Sequence, residues 1–405
     1  MKKLFVFLVL TASFSLAANS QILKKLGDKL KDKTNQKVDQ KTDQTIDKGL
    51  DKTDDATKKN SDNSTTDAQK NGDANTSTDA TSTEPPLKVY ANYDFVPGDT
   101  VVFEEHFTDD QDGEFPSHWN LEKGQGLLNN LKGTPAFFLT EGNYVEVDPR
   151  MKTKTYLTDP FTIEFDYYPT EGAYGIVVFL KYIKDGDEQS ANVQFETKGG
   201  VNTGYFPKDF SANYPGNTEQ GFTNKWHHCA MIYKNNQLKF YVDQSRVLVV
   251  PNVGFAPTGF GFGGIGSQDN PIIFTNVRAA KGGKMNMIGK KFTESKIVTH
   301  GINFDVDKAS LRPESMGTLN MIIQVMKDNP DLKFEVDGHT DNTGTAAHNL
   351  VLSQQRADAV KAQLIQMGID ASRLTSKGFG DTKPIGDNNT VEGKANNRRV
   401  EFVKM

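Results

Sequence analysis

The pattern of hydrophobic and polar positions changes character along this chain. Between about Leu87 and Gly283, apolar and polar residues take turns. Phe161, Ile163, Phe165 and Tyr167 alternate with Thr162, Glu164 and Asp166; Leu238, Phe240 and Val242 alternate with Lys239, Tyr241 and Asp243; Val193 and Phe195 keep the same spacing. A period of two is the mark of a strand with one buried face. Gly175 to Ile183 is a longer apolar run, and clusters of Gly, Asn, Asp and Pro part these runs at short intervals. The region therefore predicts an antiparallel sandwich or barrel. From about Ile297 the period becomes mixed. Ile302 and Phe304 predict the end of a strand. Leu311-Arg312-Pro313-Glu314 predicts a helix start, with Pro in the first turn and an acid beside the positive end of the dipole. Met316, Leu319, Ile323 and Met326 mark its buried face, and Asn329-Pro330 stops it. Leu332, Phe334 and Val336 predict a strand, then Ala357, Val360, Leu364 and Met367 a second helix ended by Gly368, and Val400 and Phe402 a last strand. The expected fold class is multidomain: an all-β sandwich followed by an α/β sandwich of βαβαβ type.

The N-terminal end carries two other patterns. Lys2 and Lys3 precede an apolar run from Leu4 to Leu10, and small residues follow up to Gln21. Residues 1–20 read as a secretory signal peptide, cleaved after Ala17 or just before Gln21. The apolar run is short for the ~20 residues of an uncleaved spanning helix. No cysteine stands near the cleavage site to carry a lipid anchor. Residues 21–86 hold no Phe, Trp or Tyr, and 12 Lys face 13 Asp or Glu. Leu26, Leu30, Val38, Ile46 and Leu50 fall on a four-residue spacing that drifts around a 3.6-residue helix. Two readings stay open for this tail: a solvated linker, or a charged helix that folds against a partner or surface.

Composition narrows the function classes. The net charge is −5, which excludes a strongly basic nucleic-acid binder. The single cysteine, Cys229, excludes an intrachain disulfide and a cysteine-rich zinc site. Two His at ligand spacing are lacking, so His339 reads as a structural hydrogen-bonding residue rather than a metal ligand. His227 and His228 lie side by side in a predicted strand, where neighbours point to opposite faces. Asp109-Asp110-Gln111-Asp112-Gly113 lacks the first alternating acid and the Glu at the twelfth position of a calcium loop, so a solvated turn is expected. No nucleophile–base–acid set and no phosphate loop stands in the sequence. No metal or cofactor is expected.

Two resemblances add to this. Phe107-Thr108-Asp109-Asp110 with Phe115-Pro116-Ser117-His118-Trp119, and Asn224 to Tyr233 followed by Gln237 to Asp243, resemble the concanavalin A-like, laminin-G-like jelly roll. Near the C-terminus stand Asn303-Phe304-Asp305, Gly338-His339-Thr340-Asp341-Asn342-Thr343-Gly344, Asn349 to Val360, Gly378-Phe379-Gly380 and Asn397-Arg398-Arg399-Val400-Glu401-Phe402. In this order they resemble the OmpA-like peptidoglycan-binding domain, over roughly a quarter of the chain. The expected organisation is a signal peptide (1–20), a charged tail (21–86), a jelly roll (87–285) and an OmpA-like domain (286–405).

The second resemblance implies binding of diaminopimelate, a side group of the peptidoglycan stem peptide. Its far end carries an ammonium and a carboxylate on one carbon, so a site needs an acid and a base a few ångströms apart. The resemblance gives Asp341 the ammonium and Arg356 the carboxylate, the latter through a bidentate fork. A mere Asp–Arg ion pair pinning helix to loop is the plainer alternative. Phe304 and Asp305 are expected at the pocket rim, with Thr340 and the backbone around Asn342 beside them. Arg398 and Arg399 either face the ligand or form structural ion pairs. The expected protein is exported, non-enzymatic and associated with peptidoglycan and the outer membrane, its jelly roll a binder of glycan or envelope protein or a spacer. Two alternatives are a wall-localised carbohydrate-active enzyme, which needs two carboxylates across a cleft, and a porin-like barrel.

Overall fold

A computed structural model describes residues 93–214, 219–282 and 291–405; the signal peptide, the charged tail and the 285/286 boundary lie outside them. The described residues fall within one compact unit. Its first lobe is built from β1 (Thr100–Glu105), β2 (Trp119–Leu131), β3 (Thr134–Pro149), β4 (Phe161–Tyr168), β5 (Ile176–Lys184), β6 (Asp187–Phe195), β7 (Gly200–Gly204), β8 (Ser211–Asn213), β9 (His227–Lys234), β10 (Gln237–Val242), β11 (Ser245–Val250), β12 (Gly259–Gly266) and β13 (Ile272–Lys281). Hydrogen bonding runs in the order β11-β10-β9-β4-β13-β3-β12-β5-β6-β7-β8, with β1 on β13 and β2 on β3.

Local chemistry sets the hairpins. Lys132-Gly133, Asp185-Gly186 and Asn235-Asn236 each fill a two-residue turn with both φ angles positive. That is the turn whose twist matches the flanking strands, and Gly and Asn reach it at little cost. The long sheet then folds on itself. Phe165 of β4 meets Phe195 of β6 edge-on at 5.3 Å, and Phe195 reaches Phe240 of β10 at 6.4 Å, although several strands part them along the sheet. The space between is filled by side chains, Trp119 at its centre and fully buried. The two ends of the sheet approach each other where Gln244 donates to the Tyr214 hydroxyl at 2.6 Å. The expected alternation is present. The β2–β3 hairpin, rich in Gly and Asn, is the part that periodicity did not announce.

The second lobe holds β14 (Lys296–Thr299), α1 (Met316–Asp328), β15 (Phe334–His339), α2 (Ala346–Gln366), β16 (Leu374–Gly380), α3 (Val391–Asn397) and β17 (Val400–Lys404). The sheet order is β14-β17-β15-β16, with β15 and β16 parallel and the other pairs antiparallel. Three expectations change. The first strand ends at Thr299, not Phe304; Phe304 makes a lone bridge to Leu311 across a loop in which Asp307 has φ 56°. The second helix starts at Ala346, well before the Ala357 to Met367 stripe that marked it, capped by the Thr345 hydroxyl accepting from His348 N–H, so Arg356 lies about three turns in. A third helix, α3, was not expected, because its sequence Val-Glu-Gly-Lys-Ala-Asn-Asn carries no apolar stripe.

The two lobes share a buried seam. Tyr93, Phe95 and Val96 lie between the outer face of β9–β10 and helix α1, with Tyr241 packed edge-on against both rings at 5.6 and 5.4 Å. Thr162, Glu164 and Asp166, the polar positions of β4, are covered rather than solvated. Arg278 grips Glu164 through Nε at 3.1 Å and Nη2 at 3.0 Å and donates from Nη1 to the His300 carbonyl at 3.2 Å. Asp166 accepts from Asn276 at 2.6 Å and pairs with the His228 ring at 2.8 Å. Asn396 of α3 completes the edge of β1, accepting from Val101 N–H and donating to its carbonyl, both at 3.0 Å.

Candidate functional site

Four segments meet at the C-terminal lobe's site: the 303–311 loop, the end of β15, the face of α2 and the start of β17. Strand β15 ends at His339, and Thr340 N–H still bonds the Gly380 carbonyl at 3.0 Å. Asp341 is thus fixed at the strand's end. Its Oδ1 accepts from Thr343 N–H at 2.8 Å and its Oδ2 from Arg398 Nη1 at 2.6 Å. Burial pushes this carboxyl upward, but the Arg398 fork and the Thr343 N–H outweigh it and hold the pKa below the usual carboxylate range. Asp341 is therefore a buried, ionised acid.

Arg356 comes from α2. Its guanidinium lies 4.9 Å above the Phe304 ring, Nε donates to the Lys308 carbonyl at 2.9 Å, and Nη2 reaches the Asp305 carbonyl at 3.5 Å. The loop is itself braced by Ser310, whose hydroxyl donates to Asp305 Oδ2 at 2.6 Å. Phe304 and Asp305 thus form the seat of Arg356. Among the described residues, Arg356 Nη1 makes no hydrogen bond, which leaves an unused donor of the planar fork. Burial lowers the Arg356 pKa, Asp307 and Asp341 raise it, and Arg398 lowers it, so these groups share one electrostatic neighbourhood.

The expected acid and base do not form an ion pair with each other. The partner of Asp341 is Arg398, from the doublet that the sequence left open. Arg399 is the structural member: buried, it bonds Glu401 Oε1 at 2.7 Å and the Lys383 carbonyl at 3.0 Å. Thr340 is buried, its hydroxyl without a partner among the described residues, while Asn342 is exposed and its N–H faces Asn388 Oδ1 at 3.4 Å. Sequence reasoning missed the far end of Arg398: its Nη2 donates to Glu104 of β1, 294 positions away in sequence. No local pattern signals that contact.

His339 stacks on Phe379, with ring centroids 5.3 Å apart and planes 9° from parallel. Burial, with Arg399 next, pushes its pKa down to about 4. Asp337, His339 and Glu401 bring possible ligand atoms within 4.8 Å of one another. Glu401, however, already takes Arg399 and, at 2.7 Å, Lys296, and these two cations oppose a third. In the first lobe, His227 and His228 face different partners, Asp243 and Asp166, and burial pushes the Cys229 thiol well above its usual range. Asp109 to Gly113 forms a turn in which Asp110 accepts from Ser117 N–H at 3.0 Å. The outer acids of β3, Glu146 and Asp148, both contact Lys181, at 3.2 Å for Glu146. Gly261 leaves the space for that crossing, since a Cβ there would lie 2.1 Å from Asp148 Oδ1. Burial pushes the Asp148 carboxyl up to about 6 despite Lys181. Among the described residues, no helix is long and apolar enough to cross a membrane.

Comparison with known proteins places two families on the chain. Residues 303–398 match the OmpA family, and residues 139–273 match the concanavalin A-like lectin/glucanases superfamily. The chain is 45% identical over 104 residues to the probable lipoprotein YiaD of Escherichia coli K12, covering 26% of this chain and 48% of that protein. It is 42% identical over 107 residues to the peptidoglycan-binding protein ArfA of Mycobacterium tuberculosis H37Rv, covering 26% and 33%. Among solved structures, the peptidoglycan-associated lipoprotein from Burkholderia pseudomallei is 28% identical, with 28% of this chain and 91% of that chain covered and a TM-score of 0.25. The chain spans less than half the length of YiaD and of ArfA. It contains an OmpA family domain and a concanavalin A-like domain, as the motifs led one to expect.

Proposed function

We propose that this chain is an exported, noncovalent peptidoglycan-binding protein of the cell envelope, and that Asp341 and Arg356 grip the diaminopimelate side group. The carrying observation is Arg356: a guanidinium planted on Phe304, held by loop carbonyls at Nε and Nη2, with Nη1 making no hydrogen bond among the described residues. A carboxylate is the natural complement of that fork. Ionised Asp341 stands in the same electrostatic neighbourhood and takes the ammonium. The similarity to ArfA, a peptidoglycan-binding protein, supports the same reading for the matched segment. The jelly-roll lobe then carries a glycan or envelope partner, or serves as a spacer. Lys181 lies against both Glu146 and Asp148, which supports a non-hydrolytic role for that face.

The test is pull-down of the full chain with diaminopimelate-type peptidoglycan, beside lysine-type peptidoglycan, which lacks the distal carboxylate. Asp341→Ala or Arg356→Ala leaves one half of the zwitterion unpaired, expected to cost about 2–5 kcal/mol, or roughly 30-fold to several-thousand-fold in affinity. Arg356→Lys is expected to rescue poorly, because a point charge lacks the planar fork. Folded alanine variants that bind as tightly as the parent overturn the site. Equal binding to both wall types overturns the role of Arg356 alone.

A further inference from the structure

Resting on that reading, we infer that Glu104, from the first strand of the jelly-roll lobe, is a specificity-determining residue of the wall site: it supplies the charge that keeps the Asp341 side anionic. The argument is a charge count on one guanidinium. Arg398 gives Nη1 to Asp341 Oδ2 at 2.6 Å and Nη2 to Glu104 Oε2. Asp341 with Arg398 alone is a neutral pair, with no net pull on an ammonium. Adding Glu104 leaves the trio with one net negative charge, opposite the positive Arg356. The site then has the two poles of a zwitterion.

Glu104 is suited to this. It is buried, and although burial raises its pKa, His106 and Arg398 outweigh that and hold it at about 2, so it stays ionised. The other cation near it is already matched, since Arg278 is bidentate on Glu164. His106 faces the second oxygen of Glu104 at 3.7 Å and is itself bonded to Asn276 at 2.8 Å. Burial lowers the His106 pKa, but Glu104 outweighs that and raises it above the ordinary histidine value; a protonated His106 would cancel part of the Glu104 charge, so the test is run well above that raised range. Glu104 does not touch the ligand position; it acts through Arg398 and is a positioning residue.

The measurement is titration calorimetry on the full chain with two probes: meso-diaminopimelate, and pimelate, the same seven-carbon dicarboxylate without ammonium groups. The parent is expected to prefer diaminopimelate. Removing one charge that lies a single guanidinium from the ammonium is expected to cut that preference about tenfold in Glu104→Gln. Pimelate binding should hold or tighten. A purely structural role would weaken both probes in proportion and overturn the assignment, as would an unchanged ratio. Arg398→Gln leaves Asp341 and Glu104 both unneutralised, so its preference should equal or exceed the parent's; a lower one overturns the charge count. That variant carries the test if Glu104→Gln does not fold. A parent without preference sinks the wall-site reading itself, whereas a preference that Asp341→Asn removes and Glu104→Gln leaves intact sinks the role of Glu104 alone.

Discussion

Two histidines in the seam show how burial and partners set protonation at single residues. His300 is buried, with Nε2 donating to the Asn396 carbonyl at 3.0 Å and Arg278 nearby, and burial first of all pushes its pKa down to about 4. In the unfolded chain it titrates near 6.5. The folded state therefore refuses a proton that the unfolded state accepts between these values. The stability from its neutral burial is complete above about pH 6.5 and falls as the pH drops to about 4, by about 3 kcal/mol. His228 has the opposite sign. Burial lowers its pKa, but Asp166 and Glu164 outweigh that and raise it to about 10. Its contribution is complete below about pH 6.5 and fades as the pH climbs through 10. We expect His300→Gln, which keeps a donor for the Asn396 carbonyl, to flatten the acid limb. Urea unfolding of parent and variant from pH 7 to 4 should show the parent losing about 3 kcal/mol more; parallel curves would reject the account.

At the scale of elements, α1 shows how close packing overrides helix propensity. It buries Met316, Leu319, Ile322, Ile323 and Met326 and starts against the strap formed by residues 93–97. A Cβ on Gly317 would lie 1.7 Å from the Phe95 carbonyl oxygen. Alanine normally gains about 1 kcal/mol over glycine inside a helix. Here the overlap is with backbone, which cannot swing away, and overpacking of this kind costs about 1–3 kcal/mol. Gly317→Ala is therefore expected to lower the melting temperature by a few degrees. A rise would mean that the strap yields freely and does not hold the helix.

For the whole molecule, the seam makes the two lobes interdependent. Tyr93, Phe95 and Val96 fill a core shared by Ala230 and Ile232 of β9 and by Leu319 and Ile322 of α1. Arg398 meets Glu104, Asn396 meets the edge of β1 and Arg278 meets the His300 carbonyl only while the lobes stay together, and separating a buried charge such as Glu104 from its partner costs several kcal/mol. Calorimetry of residues 87–405 should therefore give one cooperative transition, with calorimetric and van't Hoff enthalpies equal. Two resolved transitions would show that the seam is weaker than its contacts suggest.

The sequence by itself determined which faces are apolar. Phe161, Ile163 and Phe165 point into the jelly-roll core as their alternation required, and the apolar faces of α1 and α2 are buried as their periods required. It also determined where Asp341 and Arg356 stand, at a strand's end and on a helix, because both lie inside a dense local motif. Helix α3 and the β2–β3 hairpin were illegible, since neither repeats an apolar period. Tertiary structure alone decided what covers the other face of β4: the period of two identifies Thr162, Glu164 and Asp166 as polar positions but says nothing of what lies beyond them. It also decided that the acid of the site is held by Arg398 rather than Arg356, and that Glu104 shares that guanidinium. The physical reason is distance along the chain. Local pattern encodes contacts made within a few residues, whereas an ion pair between residues 294 positions apart exists only once two lobes have packed.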